Sequence, residues 1–318
     1  MSVREESSSA VPPPVSVSRP GTDASETHHT VTASDGTRLY LRRKIARDPA
    51  NKLCVTPVFC DGILCDGFIW KYLWDELAAQ CDVAHWHYRG HGRSGTPVDS
   101  ARIDIAAHAA DLATVRAELG DPPCVLVGHS MGTQVALEGW RVAPRNVKGL
   151  VLLCGSYGKV TQSFRGIPIL DMILPKVMDI VDKQPEIARA LWSRIPPELA
   201  LRAALLARDI DPRNVRREDI LPYLKHMTHV DFAMFLRMLR AAGDHTAEDW
   251  LAEVNIPVII VAGERDTFTP ASLSEAMAER IPNAELLMVK GGSHVAPIEQ
   301  PELVSERIRA FLSRVAET

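Results

Sequence analysis

The pentapeptide Gly128-His129-Ser130-Met131-Gly132 follows the apolar run Cys124-Val125-Leu126-Val127 and opens a stretch with helical spacing. A serine on a sharp strand-to-helix turn is held out toward substrate as a nucleophile. The glycines answer a steric need. The turn strains the serine backbone, and side chains at the flanking positions would strike neighbouring main chain. G-x-S-x-G is common by chance, so its weight comes from the strand before it and the helix after it. A serine hydroxyl is a poor nucleophile unaided. The chemistry therefore calls for a histidine to take its proton and a carboxylate to fix the tautomer of that histidine.

Asp266 is the expected acid. The apolar run at residues 256–262 leads into Gly263-Glu264-Arg265-Asp266-Thr267-Phe268-Thr269-Pro270, which puts Asp266 at the C-terminal end of a buried strand, where open α/β sheets bind ligands. Glu264 is the alternative carboxylate on the same loop. His294 is the expected base, within Lys290-Gly291-Gly292-Ser293-His294-Val295-Ala296-Pro297, because a histidine on a glycine-rich loop can reach across the sheet edge. His129 should point elsewhere from the turn and is assigned no proton transfer. An oxyanion developing at the attacked carbonyl needs donors. The N–H of Met131, at the start of a helix, is one, and the N–H of Ile63, just after Cys60-Asp61-Gly62, is the expected second.

The elements that must position these groups follow from periodicity. Residues 29–42 alternate polar and apolar about Asp35-Gly36, an antiparallel hairpin signal. Short apolar strands follow at 57–60, 83–86, 124–127, 147–154, 256–262 and 284–289, separated by helical spacing, for example at 68–80, 103–119, 130–142 and 271–280, with a closing helix at 301–315. Near-continuous apolar strands alternating with helices predict an α/β fold with a mostly parallel, doubly wound sheet. Residues 155–250 carry no comparable strand, only helical spacing broken by prolines, and are too long for a loop. The expected division is a tail over 1–27, a core over 28–154 and 251–318, and an inserted helical lid over 155–250. Met172, Met178, Met227, Met234 and Met238 either form the helical core of that lid or line an apolar acyl pocket.

With these motifs in place, the chain resembles the α/β-hydrolase superfamily from the hairpin to the closing helix. The order serine, acid, histidine along the chain is the family's, and Tyr88-Arg89-Gly90-His91-Gly92-Arg93-Ser94 is similar to its arginine-glycine loop, which implies a structural role for that loop. The lid and Gly-His-Ser-Met-Gly are similar to esterases, lactonases and monoglyceride-lipase-like enzymes. The resemblance implies an acyl-enzyme on Ser130 that water, activated by His294, resolves. No metal or organic cofactor is needed. A serine at the turn argues against haloalkane dehalogenase and epoxide hydrolase chemistry, while carbon–carbon bond hydrolysis or a ligand receptor of the same fold stay open. Two departures stand out: Asp61-Gly62 where many members have His-Gly, and His87 where the arginine-glycine loop often begins with Asp. A carboxylate beside the oxyanion loop opposes the oxyanion unless it is turned away or hydrogen-bonded.

Composition bounds the partners. A net charge of -4 over 318 residues gives no concentrated basic surface for nucleic acid. No stretch approaches the length of an apolar membrane helix, and the start lacks a secretory leader, so a cytoplasmic location with six free thiols is expected. The expected ligand is a small-molecule ester, small to medium-sized and mostly apolar. The sequence carries no signal of oligomeric state.

Overall fold

A computed structural model describes residues 25–50, 52–164, 167–206 and 213–317. The expected tail lies outside these residues up to position 24. Its last two members correct the boundary, because Glu26 and Thr27 pair with Lys44 and Arg43 in the first two strands. These strands, β1 (Glu26–Thr32) and β2 (Arg38–Lys44), form the expected antiparallel hairpin. Its turn closes with Gly36 in the left-handed region at φ 87°, and Asp35 Oδ1 accepts the Thr37 N–H at 3.0 Å.

The core then alternates β3 (Thr56–Cys60), α1 (Lys71–Ala78), β4 (Val83–Trp86), α2 (Ile105–Glu118), β5 (Cys124–His129), α3 (Met131–Val142) and β6 (Val147–Leu153). The insertion follows as α4 (Val160–Ser163), α5 (Ile169–Lys183), α6 (Pro185–Trp192), α7 (Pro197–Leu206), α8 (Arg217–Met227) and α9 (Phe232–Asp244). The chain returns to the core through β7 (Val258–Gly263), α10 (Ala271–Arg280), β8 (Ala284–Val289), α11 (Ala296–Glu299) and α12 (Pro301–Ala316). The sheet order is β1-β2-β4-β3-β5-β6-β7-β8, antiparallel across β1, β2 and β4 and parallel from there on. Every residue of β3, β4, β5 and β7 is buried, as strands covered by helices on both faces must be. One apolar cluster fills each face. Leu126, Val135 and Leu152 belong to one, and Phe59, Val127, Val151 and Phe311 to the other.

The insertion leaves and rejoins the core at one point. Gly158 bridges to Thr246, Ala247 N–H donates to Tyr157 O at 2.7 Å, and a Cβ on Gly158 would lie 2.2 Å from His245 O, so only glycine fits there. From that base α8 and α9 pack over the loops that follow β3 and β4. Tyr72 Oη donates to Asp219 at 2.9 Å, Phe68 stacks on Tyr223 at 4.4 Å, and Met238 is fully buried. Of the other methionines, Met178 packs in a small cluster around Leu174, Val181 and Leu236, whereas Met172 is exposed. All six cysteines are free thiols, and no described helix is long and apolar enough to cross a membrane.

Candidate active site

Ser130 lies between β5 and α3 with φ 55° and ψ -119°, a strained backbone that the two glycines make possible. A Cβ on Gly128 would fall 2.2 Å from Gly132 O, and one on Gly132 would fall 2.1 Å from Cys60 O. The turn is thus wedged between its own helix and the end of β3. The Ser130 N–H donates to Leu153 O at 3.0 Å, which ties the turn to β6 as well.

Asp266 and His294 meet each other, and His129, the residue before the serine, contacts the His294 carbonyl at 2.9 Å. Asp266 is buried, and its Oδ2 lies 2.9 Å from His294 Nδ1, while Glu264 is exposed and its Oε2 accepts the Gly291 N–H at 2.8 Å. Asp266 Oδ1 takes two N–H bonds from its own turn, Phe268 and Thr269, both at 2.9 Å. Such a carboxylate is fixed in place and aims its second oxygen at the imidazole. The ring contacts of His294 to Asp266 and Thr269 run through Nδ1, so Nε2 on the opposite edge is the nitrogen a serine can address.

Sequence reasoning missed the residues that hold these groups. Thr269 Oγ1 sits 2.8 Å from Asp266 Oδ2 and 2.8 Å from Cys154 O, tying the acid to the end of β6. The spacing Asp-x-x-Thr, which favours a side chain capping its own turn, was the available signal. Glu299 is buried and accepts from Ser293 N–H at 2.6 Å and Ser293 Oγ at 2.8 Å, which anchors the histidine loop from α11. Nothing in the local pattern marked it. His129 takes no part in the chain of Nδ1 contacts, but it does not stand apart from it. Its Nε2–H donates to the His294 carbonyl at 2.9 Å, its ring lies 5.0 Å from the His294 ring, and burial pushes its pKa down to about 3, which keeps it neutral.

The loop after β3, expected to supply an oxyanion donor, lies directly against the serine. A Cβ on Gly62 would be 3.2 Å from Ser130 Cβ and 3.1 Å from His129 Nδ1. Within the loop, Leu64 N–H donates to His91 Nε2 at 3.2 Å and Cys65 N–H to Gly62 O at 3.2 Å. His91 donates through Nδ1 to Arg89 O at 3.0 Å, which fixes the tautomer that accepts from Leu64. The arginine-glycine loop therefore braces the loop after β3. Arg89 itself is buried on Asp111 and Asp35, its Nε donating to Asp111 Oδ2 at 2.8 Å.

Asp61 is buried, and both of its oxygens are hydrogen-bonded. Trp70 Nε1 donates to its Oδ1 at 2.6 Å and His85 Nε2 to its Oδ2 at 2.9 Å, and Arg42 Nε in turn donates to His85 Nδ1 at 3.0 Å. Burial pushes the carboxyl up to about 7 against the opposing hydrogen bond from Trp70. The hydrogen-bonded condition that would spare a developing oxyanion is met. His87, the other departure, is buried with its Nδ1 accepting the Arg93 N–H at 2.8 Å.

The profile of a family described as the alpha/beta hydrolase fold matches residues 58–301. The chain is 27% identical over 250 residues to a protein named putative carbamate hydrolase RutD from Pseudomonas savastanoi pv. phaseolicola, covering 76% of this chain and 89% of that one. It is also 29% identical over 259 residues to polyketide synthase ThaQ from Burkholderia thailandensis, a match that takes in 80% of this chain but spans only 12% of the synthase. Among solved structures, the esterase EaEST from Exiguobacterium antarcticum superposes with a TM-score of 0.72 at 17% identity, over 90% of this chain and all of that one (100%), a likeness of fold.

Proposed function

The chain belongs to the alpha/beta hydrolase fold family, and from that premise we propose that it cleaves a carboxylic ester, lactone or thioester of a small to medium, mostly apolar substrate through an acyl-enzyme on Ser130. The observation that carries the proposal is the contact of His294 Nδ1 with Asp266 Oδ2 at 2.9 Å, joined through the His129–His294 hydrogen bond to a turn whose serine is strained to φ 55°. Ser130 Oγ attacks the carbonyl carbon while His294 Nε2 takes its proton. Collapse of the tetrahedral intermediate breaks the bond to the leaving oxygen, or to sulfur in a thioester, and that atom receives the proton from His294. Water then attacks the acyl-enzyme, giving one proton to His294, which returns it to Ser130 Oγ as the acid departs. The N–H groups of Met131 and Ile63 stabilise the oxyanion at each stage. Ile63 suits the task because the next two amides of its loop are committed to His91 and Gly62.

A carbamate presents the same kind of carbonyl to the same serine, and the similarity to a protein named putative carbamate hydrolase favours it as the second reading. Hydrolysis of p-nitrophenyl butyrate, beside a carbamate of the same nitrophenol, by the wild type and by Ser130→Ala tests both. Turnover of the ester that vanishes in the variant supports the proposal, and preference for the carbamate favours the second reading. Turnover that survives in Ser130→Ala contradicts both, and no turnover of either compound points to a carbon–carbon bond hydrolase or a receptor.

A further inference from the structure

Two rings lie against the His294 imidazole, and they differ in kind. His129 lies 5.0 Å away and is buried; Phe268 also lies 5.0 Å away, tilted by 35°, yet remains 38% exposed. A large apolar side chain open to solvent beside the imidazole that faces Asp266 invites a ligand to cover it. Phe268 is also firmly mounted, because its N–H donates to Asp266 Oδ1 at 2.9 Å, on the same turn that holds the acid. From the insertion, Phe164 at the end of α4 meets it edge to face at 5.4 Å and 67°. The insertion and the core thus join at an aromatic pair whose inner member, Phe268, lies against His294.

The chemistry of the site decides which part of a substrate meets that pair. In the acylation step His294 protonates the leaving oxygen, so the substituent on that oxygen is the part held closest to the histidine, while the acyl group extends from the carbonyl at Ser130 and the oxyanion loop. We propose that Phe268 and Phe164 form the alcohol-side wall of the site and select substrates whose leaving alcohol is aromatic or bulky and apolar. The proposal rests on the ester-hydrolase reading and adds the substrate's second half to it. An aromatic leaving group stacks on Phe268 and excludes water from the proton being delivered, whereas a methyl or ethyl group leaves the ring wet.

Ethyl butyrate and benzyl butyrate separate the two halves, since both give the same butyryl-enzyme and differ only in the alcohol expelled. The expected result for Phe268→Ala is a fall of about tenfold in kcat/KM for the benzyl ester, the size of an aromatic contact, with the ethyl ester changed by less than about threefold. Phe268→Leu, which keeps apolar bulk without the ring, should fall between, and Phe164→Ala should move the benzyl-to-ethyl ratio in the same direction. Equal losses on both esters would mean that Phe268 only seats His294 and would overturn the proposal, as would an unchanged ratio. A wild type that turns over neither ester overturns the hydrolase reading itself, an outcome distinct from either of these.

Discussion

The histidine loop at 290–295 and the outer helices of the insertion, α5 and α6, are both elements beyond the sheet, yet they are built in opposite ways. The loop is tied at successive positions: Gly291 to Glu264, Gly292 O to the Arg265 N–H at 2.8 Å, Ser293 to Glu299, and the His294 carbonyl to His129. A Cβ on Gly263 would be 2.3 Å from Ser293 O, so the end of β7 presses directly on the loop. In the outer helices Met172, Ile173, Ile180, Ile187 and Leu191 are exposed, and ion pairs such as Lys183–Asp179 lie at the surface. The contrast teaches where this molecule spends its packing. Groups that must meet within a fraction of an ångström are fixed by hydrogen bonds and backbone contact, and the outer helices, which carry none of them, are not.

Substitutions at the tied end should cost far more than those in the outer helices. Asp266→Asn is expected to lower kcat by about 10⁴-fold with the melting temperature little changed, because the amide no longer selects the His294 tautomer that carries its proton on Nδ1. Steady-state kinetics on a p-nitrophenyl ester reads this directly, and a loss below about tenfold would remove Asp266 from the acid's role. Gly132→Ala puts a methyl group 2.1 Å from Cys60 O and should destabilise the fold by about 3 kcal/mol while abolishing activity. A variant with wild-type denaturation midpoint would show that the turn has slack.

Acid should act on the core as well. His85, His87, His91, His108 and His129 are buried, and desolvation holds them neutral, taking His91 down to about 4 and His129 to about 3 and the others well below the usual imidazole range. In the unfolded chain each binds a proton near pH ~6.5. Between the two values the unfolded state holds more protons, so their stabilisation is full above pH ~6.5 and is lost as the pH falls toward ~4, by up to about 1.4 kcal/mol per pH unit for each. Asp61, raised to about 7, has the opposite sign: the folded state favours its protonated form, so acidification from pH 7 recovers stability and offsets part of the loss. Melting curves followed by circular dichroism should therefore shift down from about pH 6.5 to about pH 5, and a midpoint constant over that span would mean the buried histidines accept protons in the folded state. The smallest effect belongs to the outer helices, where Ile180→Ser should change stability by less than about 0.5 kcal/mol. A larger loss would show that the exposed stripe of α5 is covered in solution.

Much of the arrangement was legible in the sequence because strong local physics marks it. The doubly wound core announces itself in strands such as Val258–Gly263, apolar at nearly every position since both faces are covered, and Gly128 and Gly132 mark the elbow because nothing larger fits. The supports were not legible. Glu299 acts through two hydrogen bonds to Ser293, six residues back, and His129 through one to the distant His294, and no local pattern encodes either; the fate of Asp61 depends on Trp70 and His85, which only the folded chain brings to it. In the insertion, the periodicity that predicts helices in Ile169–Lys183 does not say which face is covered, so Met172 and Met238 look alike in sequence and end at opposite extremes of exposure.

The central claim is that Ser130 is the acylated residue, and reaction with a fluorophosphonate followed by peptide mass spectrometry tests it most directly. The account predicts one adduct, on the peptide carrying Gly128-His129-Ser130-Met131-Gly132, formed in step with loss of esterase activity and absent from Ser130→Ala. An adduct on another residue, or activity that persists while Ser130 is fully modified, would contradict it.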